Sequence, residues 1–289
     1  MSGRRVGFLM GLVGAIVGLA IALWMSYRPS LPPEQAATIS DEKPATLRRI
    51  RIRHNGDLVL LERRDTAHRW RLTSPVSAPA DSAHIDAVMA LLRHPSTRRY
   101  ERHVIDEQKT GLDEPMLVVQ FANETPIEIG DHGPSPNSRY IRTAHDLWLV
   151  DIASLNGLAW GWSHWMSPAL VDSPAELTAI ILPHATLRRN DSNGWHVEPA
   201  GYRSPSAVAA TIRAWRRARA LTVVPANRSR ARIGRMTFKY ADRAPRYLDI
   251  IEREPNLVLR DPERSVDYHL AGNRVAPLLD IRHPALDTP

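Results

Sequence analysis

From residue 47 onward, apolar and polar positions fall into an order that the chain runs through twice. In the first pass Ile50 and Ile52 alternate with Arg49, Arg51 and Arg53, the period of a strand with one buried face. The turn Asn55-Gly56-Asp57 leads to a second strand through Leu58 to Leu61, which predicts a hairpin. Trp70 and Leu72 share one face of a third strand, closed by Pro75. Asp81 or Ser82 then caps a helix whose Ile85, Val88, Met89 and Leu92 recur at three- and four-residue steps, with His94-Pro95 ending it. Four further strands are predicted over residues 116–121, 127–129, 139–142 and 147–150. The second pass repeats the scheme: strands over 177–182, 186–189 and 194–197, closure at Pro199, a helix from near Ser204, then strands over 236–240, 246–251, 257–259 and 268–270.

Short turns between successive strands imply antiparallel pairing. The expected fold class is therefore α+β: an N-terminal transmembrane helix followed by two tandem repeats, each an antiparallel sheet packed on a helix. The expected boundaries are 1–28 for a cytoplasmic tip and anchor, 29–46 for a proline-rich tether, 47–170 for the first repeat and 171–289 for the second.

The anchor rests on Val6 to Trp24, an unbroken run of apolar residues and glycine behind Arg4-Arg5 and ahead of Tyr27 and Arg28. About twenty apolar residues span a bilayer as a helix, and this run just suffices. Basic residues on the short side place the N-terminus in the cytoplasm, and Trp24 and Tyr27 stand where interfacial aromatics belong. A single-pass inner-membrane protein with its bulk in the periplasm is expected. Ala20-Ile-Ala22 also has the form of a signal-peptide cleavage site, so an uncleaved anchor and a cleaved leader both stay open; either exports the same domain. Gly7 and Gly11, and Gly14 and Gly18, are spaced as small residues are where two membrane helices pack closely, which makes a membrane-protein partner an expectation.

Charge and composition narrow the chemistry. The formal net charge is +7, nearly all from arginine, since Lys43, Lys109 and Lys239 are the lysines. For an exported domain that mild excess gives no reason to expect nucleic acid. With no cysteine, disulfides, thiolate catalysis and cysteine metal sites are excluded. Gly161-Trp162-Ser163-His164-Trp165 has the outline of a nucleophile elbow, but tryptophan stands at 165 where glycine would let the turn form. No His-Glu-x-x-His pair and no glycine-rich phosphate loop outside the apolar segment occur. The expectation is a protein that is not an enzyme and carries no cofactor or metal.

Two surfaces stand out as candidates for binding. Arg213, Arg216, Arg217 and Arg219 cluster on the second helix, the first three on one face, ahead of Arg228, Arg230, Arg232 and Arg235. Such a patch suits an anionic lipid or glycan, and equally a solvated face whose charges meet nearby acids. Trp160, Trp162 and Trp165 lie between the repeats, either as a protein interface or as filling for the junction.

The order Leu61-Glu62-Arg63, Trp70, Pro75, Ala80-Asp81, Gly111-Leu112-Asp113-x-Pro115, Ile127-Glu-Ile-Gly130, Tyr140-Ile-Arg142 and Trp148-Leu-Val150 resembles the domain-of-unknown-function family 4340. The resemblance is good over residues 47–155 and fades in the second repeat, which keeps Trp195 and the helix but has Arg230-Ala-Arg-Ile-Gly-Arg235 where Gly-Leu-Asp would fall. It implies a membrane-anchored, non-catalytic envelope protein, similar in some members to the auxiliary part of gliding-motility ABC transporters, and it carries over no active-site residue. The turn itself reads as structural: Gly111 for a positive φ, Leu112 to pin the turn to the core, Asp113 to bond the following backbone. The expected role is an accessory or scaffold subunit of an envelope complex, with a periplasmic module for an anionic ligand as the alternative.

Overall fold

On β1 (Arg49–His54) Ile50 and Ile52 turn inward while Arg49, Arg51 and Arg53 face solvent. The strand pairs with β2 (Asp57–Arg63) through the two-residue turn Asn55-Gly56, both at positive φ, as a hairpin of this twist requires. The computed structural model describes residues 39, 43–63, 69–92, 98–101, 107–122, 125–151, 161–172, 176–192, 194–199 and 205–279. All belong to one unit, Ile39–Pro289. The apolar anchor segment, with Gly7, Gly11, Gly14 and Gly18, lies outside the described residues. Among those described, no helix is long and apolar enough to cross a membrane.

The first sheet continues with β3 (Trp70–Ser74), β4 (Ala78–Pro79), β5 (Arg98–Glu101), β6 (Leu117–Phe121), β7 (Ile127–His132), β8 (Ser138–Arg142) and β9 (Asp146–Asp151). The second comprises β10 (Leu177–Ile181), β11 (Thr186–Arg189), β12 (Trp195–Glu198), β13 (Thr222–Pro225), β14 (Gly234–Tyr240), β15 (Arg246–Glu252), β16 (Leu257–Asp261) and β17 (Val266–Leu270). Every pairing is antiparallel. The orders are β4-β3-β2-β1-β6-β7-β8-β9-β5 and β12-β11-β10-β14-β15-β16-β17-β13. With β1–β3 matched to β10–β12 and β5–β9 to β13–β17, the two orders are the same, and β4 is an addition at one edge. The fold is α+β with a repeated sheet architecture.

Three strands and one helix go beyond the sequence expectation. β5 is Arg-Arg-Tyr-Glu, without an apolar alternation to betray it, and β4 has two residues. β13 is Thr-Val-Val-Pro, cut off by its own proline. A short helix, Val275–Leu279, closes the described chain.

Asp81 caps the Ser82–Leu91 helix by accepting the Ala83 N–H at 2.8 Å, and the helix buries Ile85, Val88, Met89 and Leu91. The Pro205–Arg216 helix buries Val208, Thr211, Ile212 and Trp215. Trp215 meets Phe238 of β14 edge-on at 5.3 Å and donates its indole N–H to the Leu278 carbonyl, so the last helix is fastened to the second one. The apolar residues of both sheets and both long helices form one continuous core.

The segment joining the sheets is itself strand-like and is bonded on both sides. Ser167 N–H donates to Pro79 and Asp81 N–H to the Trp165 carbonyl, which ties the segment to the β4 edge of the first sheet. Leu170 N–H donates to Ala218 and Ala220 N–H to Pro168, which ties it to the chain entering β13. The β4 edge of one sheet and the β13 edge of the other therefore meet through a single shared strand.

Candidate functional site

A cleft of about 360 Å³ opens along this seam. Its polar side is formed by Asp81 and His84 at the start of the first long helix and by Ser163 and His164 on the 3₁₀ turn Trp162–Trp165; Met166, Leu221 and Val223 supply apolar wall. Leu221 is 73 % exposed, unusual for a leucine, because it stands at the rim.

The electrostatics of the cleft centre on Asp81. Its side chain is 10 % exposed, with Oδ1 committed to the helix cap, Arg219 Nη2 3.7 Å from Oδ2 and His84 Nδ1 4.0 Å from Oδ1. The His84 and His164 rings lie 5.9 Å apart, and His84 also packs at 5.7 Å against Trp165. His84 Nδ1 is buried without a hydrogen-bond partner. Burial, and then the neighbouring His84, push the His164 imidazole below its ordinary value against the pull of Asp81, so neutral imidazole is favoured there. No group of three potential metal ligands gathers among the described residues. The cleft can accept and donate hydrogen bonds to a small ligand. Its aspartate is spent on a helix cap rather than on orienting a base.

The tryptophans divide. Trp165 is 2 % exposed and belongs to the core, Trp162 is half-buried against it, and Trp160 lies outside the described residues. Ser163, 4 % exposed, sits on a 3₁₀ turn and not on a strand-to-helix elbow. At this turn the ring of Trp165 fills space between the halves.

The arginines divide as well. Arg213, Arg216, Arg217 and Arg219 are all exposed at the end of the second long helix. Arg219 faces Asp81 across the seam, whereas Arg213, Arg216 and Arg217 make no ion pair among the described residues. Cations in the last turn complement the helix dipole, which is reason enough for part of the pattern. Three of the four arginines that follow are neutralised instead: Arg230 pairs with Glu252 at 2.7 Å, and Arg232 and Arg235 share Asp249 at 3.4 and 2.7 Å. Burial pushes the Asp249 carboxyl up, but Arg235 and Arg232 together hold it below the ordinary carboxylate range.

Sequence reasoning missed a buried ionic cluster where the joining segment ends. Arg246 Nη1 donates to Asp172 Oδ1 at 2.8 Å and to the Leu170 carbonyl at 2.7 Å, Nε to Asp261 at 2.9 Å and Nη2 to the Tyr268 hydroxyl at 3.0 Å. Arg264 Nη2 donates to Asp172 Oδ2 at 2.6 Å. The side chains of Arg246, Asp172 and Asp261 are 6 %, 8 % and 1 % exposed. The cluster clamps the end of the joining segment to the second sheet. Its one sequence signal is the spacing of charges at strand ends, Arg246 opening β15 and Asp261 closing β16, which is indistinguishable from ordinary surface charge without the register.

In the first sheet the Gly111 turn is held by its own set of bonds. Gly111 has φ +64°, Leu112 is fully buried, and Asp113 Oδ1 accepts the Glu114 N–H at 3.0 Å. Asp131 N–H donates to Thr110 and Arg142 Nη2 to Leu112, so the turn is sewn to β7 and β8.

The family described as Domain of unknown function (DUF4340) matches residues 70–232. The match opens at Trp70 and runs across the seam to Arg232, further into the second half and later in the first than the quoted motifs extend. No curated protein and no solved structure matches the chain.

Proposed function

The chain belongs to the DUF4340 family, and from that premise we propose that it is a non-catalytic accessory or scaffold subunit of a bacterial envelope complex. In this reading Val6 to Trp24 anchors it in the inner membrane and repeats 47–170 and 171–289 stand in the periplasm. An ABC transporter is the first assembly to look for. The observation that carries the proposal is the seam: two sheets of the same strand order, joined edge to edge by one bonded strand and clamped by a buried ionic cluster, make a stiff extended β surface. A scaffold needs such rigidity. Moreover, the residues nearest to a catalytic set are used for packing, with Asp81 as cap and Ser163 beneath the tryptophan turn.

Purification of the full-length protein in mild detergent tests the proposal. Recovery with a membrane protein at fixed stoichiometry supports it, and recovery of the chain alone from conditions that preserve envelope assemblies rejects it.

A second reading is favoured by the three exposed arginines that meet no carboxylate among the described residues. Arg213, Arg216 and Arg217 would engage an anionic lipid or glycan as an adjunct to the anchor. Replacing all three by glutamine should lower binding to phosphatidylglycerol vesicles by about a hundredfold, on roughly 1 kcal/mol per cation near an anionic surface. Unchanged binding would remove the patch from consideration.

A further inference from the structure

We propose that the outer face of the first sheet, along β1, binds an acidic segment of a partner protein whose carboxylates stand on alternate residues. The inference rests on the scaffold reading and names the face through which the chain would hold its partner. Arg49, Arg51 and Arg53 all point away from the core on β1 and are exposed. Alternate residues of a strand lie about 6.8 Å apart, so the three side chains leave the sheet as a row of one sign. Apolar positions flank that row: the register sets Leu58 and Val118 on either side of Arg53, and Leu60 beside Arg51. Leu58 is 42 % exposed, and Leu60 and Val118 are half-buried.

Neighbouring groups meet little of this charge. Arg49 Nε lies 3.3 Å from Glu62 with both side chains well exposed, and Arg51 Nη1 donates to the neutral Gln120 Oε1 at 3.0 Å. Arg53 makes no ion pair among the described residues. Glu62 is the one carboxylate among the outward residues of β1, β2 and β6. Nor does folding require the row. Ile52 pairs with Val59 and Val119, and in the second sheet Ile180 pairs in the same way with Leu187 and Phe238. Arg51 and Arg53, on either side of Ile52, therefore correspond to Ala179 and Ile181. One scaffold is thus built with an alanine and an isoleucine where its twin sets like charges that repel one another. A carboxylate-bearing partner supplies what offsets that repulsion.

The chemistry of the row selects the partner. Arginine's planar fork takes a carboxylate through two parallel bonds, and the flanking leucines and valine exclude water from beside those bonds. An extended polypeptide with acidic residues at every second position repeats at the spacing of the row. The headgroups of a fluid bilayer hold no fixed spacing, so a regular row gains nothing there.

The test uses the full-length protein in mild detergent and two short fluorescein-labelled peptides of equal charge. Each has three glutamates among threonines, alternating in one and contiguous in the other. Anisotropy should show the alternating peptide binding several-fold tighter. The triple variant Arg49→Gln, Arg51→Gln, Arg53→Gln should weaken it about tenfold, as three exposed ion pairs are lost, while the same change at Arg213, Arg216 and Arg217 leaves it unaltered. Urea unfolding reports that the variant is folded, and Arg53→Gln alone provides a milder step of about twofold. Equal binding of the two peptides, equal loss from both triple variants, or a β1 variant that loses phosphatidylglycerol vesicles instead of the peptide would each overturn the proposal. Copurification separates it from the scaffold reading. A β1 triple variant that keeps the membrane partner of the wild type overturns this face alone, whereas a wild-type chain recovered alone removes the scaffold and leaves the peptides to decide the face.

Discussion

Removing the Asp172 carboxylate is the sharpest test of how the joining segment is held. In Asp172→Ala, Arg246 loses a 2.8 Å bond and Arg264 a 2.6 Å bond, while both guanidiniums stay buried, 6 % and 12 % exposed. Breaking a buried ion pair by taking away one partner costs about 3–5 kcal/mol, because the charge left behind has lost its solvent as well as its counterion. Here Arg246 keeps Asp261, Tyr268 and Leu170, and Arg264 retains Asp261 at 3.6 Å, which places the expected loss near the lower bound, about 3 kcal/mol. For a unit of this size that corresponds to a fall in Tm of about 6–12 °C. The assay is urea unfolding of the full-length protein, with m compared between variants. A change below about 1 kcal/mol at unchanged m would refute the clamp. The same residue fixes a pH dependence. Burial pushes the Asp172 carboxyl up, but Arg246, Arg264 and Arg243 outweigh it and hold it below its ordinary 3.8. A carboxylate depressed in the fold contributes stability that is complete above the unfolded value and is lost as pH falls through the folded one. Wild type should therefore destabilise below about pH 3.8. Asp172→Asn should be weaker at neutral pH yet flatter on that acid limb.

Two further outcomes are expected. Gly130→Ala would press a Cβ against the Thr110 carbonyl oxygen, a backbone atom that cannot swing away, and should cost about 1–3 kcal/mol by urea unfolding. His164, held below 6.5 by burial and His84, should make the fold lose stability as pH drops below that value, since the unfolded chain takes up the proton first; His164→Gln should flatten this slope in melts between pH 7 and 5, and an unaltered slope would place the titration elsewhere.

How far the sequence reveals this molecule depends on what kind of signal each part leaves. Ile50 and Ile52 between arginines, the Asn55-Gly56 turn and the Asp81 cap are local devices, and each sits where its pattern places it. So does Gly111, whose positive φ leaves glycine as the residue of choice. The short edge strands β5 and β13 are too brief for periodicity and owe their form to the neighbour they pair with. The arginine run after residue 228 reads as one basic patch, but the register of β14 and β15 sets Arg235 opposite Asp249 and dissolves much of it. The seam cleft was the least legible part: Asp81, His84 and His164 are brought together by a turn and a helix start some eighty residues apart along the chain. Charge pairing and cavity lining are long-range properties, and a linear pattern does not carry them.

The doubly bonded joining strand has a consequence for how the molecule can be taken apart. Duplicated proteins often tempt one to express a single copy, yet severing this chain just after Leu170 would bare the outer side of the joining segment on one piece and the Ala218–Ala220 margin of the other at once. Each fragment would carry an unmet amide, that of Leu170 on one and of Ala220 on the other, together with surface from the shared core. The fragments should be sticky where the whole is not. A peptide of six residues, Trp165 to Leu170, is thus what makes two copies of a sheet one indivisible object.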